Sequence, residues 1–110
     1  MQKYDIYAAH LRFVLPDGSQ FEETSPVLIL DASKLIVLVA KCTSHKARMC
    51  NELDYEIQEW KKAGLNKETT IMFDYPLHIE AKDITYKIGK LQPFDIKWVD
   101  DVVERIISNN

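Results

Sequence analysis

Cysteine, glycine and tryptophan are scarce here: two, three and two residues in a chain of 110. Two cysteines, Cys42 and Cys50, cannot build a disulfide framework, and a structural zinc site wants about four ligands. His45 lies between them, but no second pair stands nearby. Long hydrophobic runs are also missing. The longest uncharged apolar stretch, Leu35–Ala40, falls far short of the roughly 20 residues of a membrane helix. The opening Met1-Gln2-Lys3-Tyr4-Asp5 has an early acid and no apolar core of a secretion signal, so a cytoplasmic location and reduced thiols are expected. Positive charge is not in excess either. A formal charge of −3 and a pI near 5.6 exclude broad, non-specific binding to nucleic acid and leave room only for a local cationic site.

What is present is enough apolar residue, 46%, for one core in a single domain spanning residues 1–110. Tyr7, Ala9, Leu11 and Phe13 alternate with polar or small neighbours, which predicts a strand over residues 5–14. Pro16-Asp17-Gly18 is a turn signal. Residues 20–25 are polar and read as an exposed loop. Pro26–Leu30 and Leu35–Thr43 read as a central hairpin, with Pro26 at a strand start where its missing N–H does least harm. Further strands are expected at 52–58, 69–73, 77–80 and 84–91, the last broken at Gly89. A helical turn over Glu59–Ala63 would end at Gly64. Pro93 fits a first helical position and Asp95 complements the helix dipole. Ile96, Val99, Val102, Val103, Ile106 and Ile107 then trace one stripe of a terminal helix. The pattern predicts a mainly β chain with short helices (α+β): a small, strongly bent antiparallel sheet or barrel plugged by the C-terminal helix.

One stretch concentrates chemistry. In "AKCTSHKARMC", residues 40–50, an apolar strand runs into Lys41, Thr43, Ser44, His45, Lys46 and Arg48, with a thiol at each end. A solvated loop, a metal site, a redox pair of Cys42 with Cys50, and a pocket for a phosphodiester all fit these residue types. Residues 41–48 carry no acid, whereas Glu52, Asp54, Glu56 and Glu59 follow directly. A small cationic patch on an acidic protein suits a specific anionic ligand better than a long duplex.

Five segments, in order, resemble the MazF/PemK-like toxins of bacterial toxin–antitoxin systems. They are "DIYAAHL" (5–11), "SPVLIL" (25–30), "AKCTSHK" (40–46), "AGLNKETTIMFD" (63–74) and "KIGKLQPFDIKWVDDVV" (87–103). The resemblance implies an SH3-like small antiparallel barrel with a C-terminal helix, a homodimer, and metal-independent cleavage of single-stranded RNA without a cofactor. It also implies a cognate antitoxin protein that occupies the RNA groove. Thr43 falls at the family's catalytic threonine. The catalytic arginine, which precedes the proline of the second strand, is Ser25 here, and the glycine before the first-strand acid is Tyr4.

That departure has a chemical cost. RNA cleavage through the 2′-hydroxyl passes through a phosphorane dianion, which a guanidinium fork matches bidentately. Losing the cation costs on the order of 10²–10³ in rate. Arg48 and Arg12 are the candidate replacements, with Lys41, two residues from Thr43 on one strand face, a weaker third. Lys41, Ser44, His45, Lys46 and His10 are candidate RNA contacts, an imidazole being a side chain able to serve as acid or base. His78 reads as structural, Trp98 as packing on the barrel edge, and Trp60 as covering the core or a dimer contact. Glu22 and Glu23 would border the groove and repel phosphate. Two other functions compete: a catalytically silent barrel that binds RNA or protein, and a thiol sensor built on Cys42 and Cys50.

Overall fold

Alternation in the first segment does produce a strand, β1 (Asp5–Val14). In the computed structural model, residues 1–14, 16–32, 35–44 and 53–108 are described, with backbone alone for Phe13, Phe21, Asp74 and Tyr75. The Pro16–Ser19 turn follows, with Gly18 at φ +87° and the Asp17 carboxylate accepting from the Ser19 N–H at 2.9 Å. The chain returns as β2 (Gln20–Ala32), then β3 (Ile36–Thr43), β4 (Asp54–Glu56), β5 (Thr70–Glu80), a 3₁₀ turn (Ala81–Asp83), β6 (Ile84–Lys90) and the helix α1 (Pro93–Ser108). The six strands form one antiparallel sheet in the order β4-β5-β3-β2-β1-β6. The class is the expected one, mainly β with a C-terminal helix. Among the described residues no helix is long and apolar enough to cross a membrane.

Several expected boundaries differ, each for a backbone reason. Residues 20–25 are strand, not loop, because they pair with β1 from Val14↔Gln20 to Ala9↔Ser25. Pro26 therefore lies inside β2. It is tolerated because the β2–β3 ladder starts only at Val27↔Lys41, so β2 is an edge on that side at the proline. The strands expected at 69–73 and 77–80 are one strand, with Pro76 in the register break between Lys41↔Met72 and Val39↔Leu77. Among the described residues of the expected fourth strand, only Asp54–Glu56 is β.

Gly89 lies within β6 rather than ending it. A Cβ there would sit 1.8 Å from the Ala63 carbonyl oxygen, and one on Gly64 would sit 2.4 Å from that of Ile88. Gly64 has φ +98°, the left-handed conformation that ends the turn after β4. This contact bridges the two edges of the sheet. Among the described residues no ladder joins β4 to β6; instead the Lys90 N–H donates to the Ala63 carbonyl at 3.1 Å.

Burial explains why β2 and β3 are central. Val27, Leu28, Ile29 and Leu30 are all within 1% of full burial, so both faces of the sheet are covered there. On one face Leu28, Leu30, Ala40 and Cys42 pack with Ile71, Phe73 and the Val99 and Val103 stripe of α1. On the other, Ala9, Leu11, Val27, Ile29, Val37 and Val39 meet Leu77, Ile79 and Ile84. Fully burying each Val or Leu is worth about 1.5–3 kcal/mol.

Two side chains, Asp95 and Tyr4, help to seat the helix. The Asp95 carboxylate, wholly buried, accepts from Tyr55 Oη at 2.7 Å, the Gln58 N–H at 2.8 Å and the Glu59 N–H at 3.0 Å. Tyr4 takes φ +72°, a strained conformation for tyrosine, at the position where the resemblance expects glycine. Its N–H donates to the Ile29 carbonyl at 2.8 Å, its carbonyl accepts from the Leu91 N–H at 2.8 Å, and its hydroxyl donates to Asp100 on α1.

Two substitutions test these joints. Asp95→Ala strands three part-buried donors and is expected to cost about 3 kcal/mol in urea unfolding. A loss below about 1 kcal/mol would show the clamp to be incidental. Gly89→Ala forces the two backbones apart and is expected to cost about 2–3 kcal/mol, a fall in Tm of about 10 °C or more. An unchanged Tm would mean the two edges do not need this contact.

Candidate functional site

β3 leaves the sheet at Thr43, paired across from Thr70 on β5. Thr43 and Ser44 open onto a crevice of about 150 Å³, walled by Glu56, Gln58, Trp60 and Glu68. The Ile57 N–H donates to the Thr69 carbonyl at 3.0 Å and fixes the floor, and the Asp95 bonds to Gln58 and Glu59 hold the far wall against α1. Trp60 packs on the core beside this crevice, as expected.

Strand parity decides which candidates share a face. Val27 opposes Lys41 and Ala9 opposes Ser25, so Ser25 on β2 and Lys41 and Thr43 on β3 occupy one face, with Glu23. Lys41 Nζ pairs with a Glu23 oxygen. Ser25 is 8% exposed and borders not the Thr43 crevice but a larger hollow of about 400 Å³ between Ala8, Leu65 and Tyr86.

Arg12 and His10 lie on the opposite face, in register with Glu22 and Thr24. Arg12 Nε is 3.6 Å from Glu22 and its Nη2 3.7 Å from Asp83, while His10 Nε2 is 3.5 Å from Glu22. The structure therefore separates Arg12 and His10 from Thr43 by the thickness of the sheet, with carboxylates already beside both. Glu22 faces away from the crevice and only Glu23 shares its face. His45, Lys46, Arg48 and Cys50 lie outside the described residues.

Cys42, next to Thr43, points to the helix side and is 1% exposed. Burial pushes its thiol up to about 12, against a lowering backbone hydrogen bond, so it is not a thiolate near neutrality. A buried, protonated thiol is a poor partner for a redox pair. Among the described residues no three His, Cys, Asp or Glu side chains are placed to hold a metal ion.

Four features escaped the sequence. Asp95 looks like a dipole-complementing acid, yet it binds donors 36–40 positions away, for which no local signal exists. Trp98 is 57% exposed instead of packing on the barrel, and His78 is exposed as well. The Glu23–Lys41 pair depends on β2 extending through residues 20–25. No family model matches the chain, and no curated protein matches it at a significant level.

The thiol gives a pH test. In the unfolded chain Cys42 titrates near its ordinary value of 9.0, while the folded chain holds the proton to about 12. Stability is therefore whole below pH 9 and falls as pH climbs from 9 towards 12, by up to about 1.4 kcal/mol per pH unit. The Tyr4 and Tyr55 hydroxyls are raised by burial and by Asp100 and Asp95, and add a loss of the same sign from pH 10 upward. In a Cys50→Ser background, adding Cys42→Ala is expected to flatten the fall in unfolding free energy between pH 9 and 10. Parallel slopes for the two proteins would mean the thiol is not held protonated by the fold.

Proposed function

We propose that this chain is a metal-independent endoribonuclease of the MazF/PemK-like toxin type, acting on single-stranded RNA at the Thr43 crevice. The observation that carries this reading is the β2–β3 register, which sets Ser25, Lys41 and Thr43 on one face. The resemblance gives catalysis to the Ser25 and Thr43 positions, and Lys41 is the candidate cation two residues from Thr43 on the same strand face. The left-handed backbone at Tyr4, where the family has glycine, adds support.

In this chemistry the ribose 2′-oxygen attacks the adjacent phosphorus and the bond to the 5′-oxygen breaks, leaving a cyclic phosphate and a 5′-hydroxyl. The Thr43 hydroxyl donates to a non-bridging oxygen. Lys41 brings an ammonium to the same face, and its Glu23 partner is a carboxylate able to accept the 2′-hydroxyl proton and return it to the departing 5′-oxygen. Lysine matches a phosphorane less well than guanidinium, so slow turnover is expected unless Arg48 joins the site. An antitoxin segment seated in the groove and a second copy of the chain belong to the same reading.

A second reading, a silent barrel that holds RNA or protein, is favoured by one observation. Glu56 and Glu68 wall the crevice, and Lys41, Arg12 and His10 each face a carboxylate.

Incubating the purified protein with mixed single-stranded RNA in EDTA separates the two. Cleavage is expected, reduced at least about 10²-fold by Thr43→Ala and unchanged by Arg12→Ala. Ser25→Arg is expected to accelerate it. RNA left intact by the parent but cut by Ser25→Arg selects the silent barrel; RNA left intact by both removes the nuclease reading altogether.

A further inference from the structure

Asp95 binds the Gln58 and Glu59 N–H groups, so the turn that carries Trp60 abuts the first turn of α1. There Phe94 and Trp98, one helical turn apart, stand 45% and 57% exposed on a helix whose other large apolar side chains pack on the core. Both rings carry a cation. Lys97 Nζ lies 5.3 Å from the Trp98 ring centre and 5.9 Å from that of Phe94, and Lys61 Nζ lies 5.4 Å from the Trp60 ring. Neither lysine makes an ion pair with a described carboxylate, in contrast to Lys41, Arg12, Lys3 and Lys87.

We infer that Phe94 and Trp98, with Lys97 and Lys61, form a stacking platform for the bases of single-stranded RNA that extends beyond the Thr43 crevice. Exposed π-faces beside uncommitted ammonium groups suit stacked bases joined by phosphates. They suit a protein partner less, because Lys97, Gln58 and Asp101 interrupt the apolar surface that such an interface needs. Asp101, one turn beyond Lys97, places a negative charge at the far end and limits the platform to the first turns of α1. The inference rests on the proposed RNA substrate, but on binding and not on cleavage.

The two tryptophans are the chain's only ones, so Trp60→Phe leaves Trp98 as the sole indole. The probe is a 2′-O-methyl oligouridine of about 12 nucleotides, within the footprint of single-strand binders and uncleavable because its nucleophile is blocked. Titration into the Trp60→Phe protein is expected to quench Trp98 fluorescence with the midpoint seen by anisotropy of the labelled oligonucleotide. Trp98→Ala is expected to weaken binding about 5- to 100-fold, with Trp98→Phe restoring most of it. Lys97→Gln is expected to lower the salt slope by about 0.7. Trp98 is exposed, so these variants should keep the parent Tm. Binding without quenching, or no binding at all, overturns the platform. Trp98 emission that shifts with protein concentration alone also overturns it, since a second copy would then cover the helix. Quenching in a protein that fails to cut RNA keeps the platform while the nuclease reading falls, and cleavage without quenching does the reverse.

Discussion

The buried Asp95 carboxylate is the contact on which the rest of the structure depends. It is a single ionisable group with 0% exposure, and it takes three donors from one short segment: the Tyr55 hydroxyl and the Gln58 and Glu59 amides. A buried carboxylate is costly unless it is saturated in this way. Saturation locks α1 against the connection after β4. That connection carries the Trp60 wall of the crevice and, a few residues on, the Ala63–Gly64 contact with β6. One side chain thus couples the seating of the helix, the shape of the crevice and the bridging of the sheet edges.

Double coverage of β2 and β3 has a second consequence, the sorting of charge. With apolar side chains filling both faces at Val27–Leu30, polar residues of the same strands are displaced to the ends of the ladders. There parity divides them. Arg12, His10 and Glu22 go to one face, and Lys41 and Glu23 to the other with Thr43. Sequence proximity therefore misleads: Glu22 and Glu23 are neighbours in the chain, yet they serve cations on opposite sides of the sheet.

Much of the fold was legible, and the reasons are local. Period-two alternation marks β1, the three- and four-residue spacing from Ile96 to Ile107 marks α1, and Gly64 marks the end of a turn. The misplaced boundaries all involve residues whose state is set by a distant partner. Residues 20–25 look like loop because they are polar, but β1 supplies the ladder that makes them strand. Pro76 looks like a break but falls in a bulge. For the site, Thr43, Ser25 and Lys41 could be named from the chain alone, but which of them share a face follows from register, and register is a property of strand pairs. Trp98 is the opposite case. A tryptophan off the centre of an apolar stripe is expected to pack somewhere, and only the folded arrangement leaves it in solvent.

Among the described residues, the candidate-site cations Lys41, Arg12 and His10 each lie beside a carboxylate, so on an acidic chain bulk electrostatics is a weak source of RNA affinity. Long-range steering is weak for the same reason. On the nuclease reading, affinity must then come from short-range terms: hydroxyl donors at Thr43 and Ser44, and aromatic faces at Trp60, Phe94 and Trp98. Such terms need unstacked bases and disfavour a duplex, whose bases present no free face. Selectivity for single strands would thus follow from the exposed aromatic faces, and the carboxylates around the crevice would act as the filter that rejects ligands offering phosphate alone.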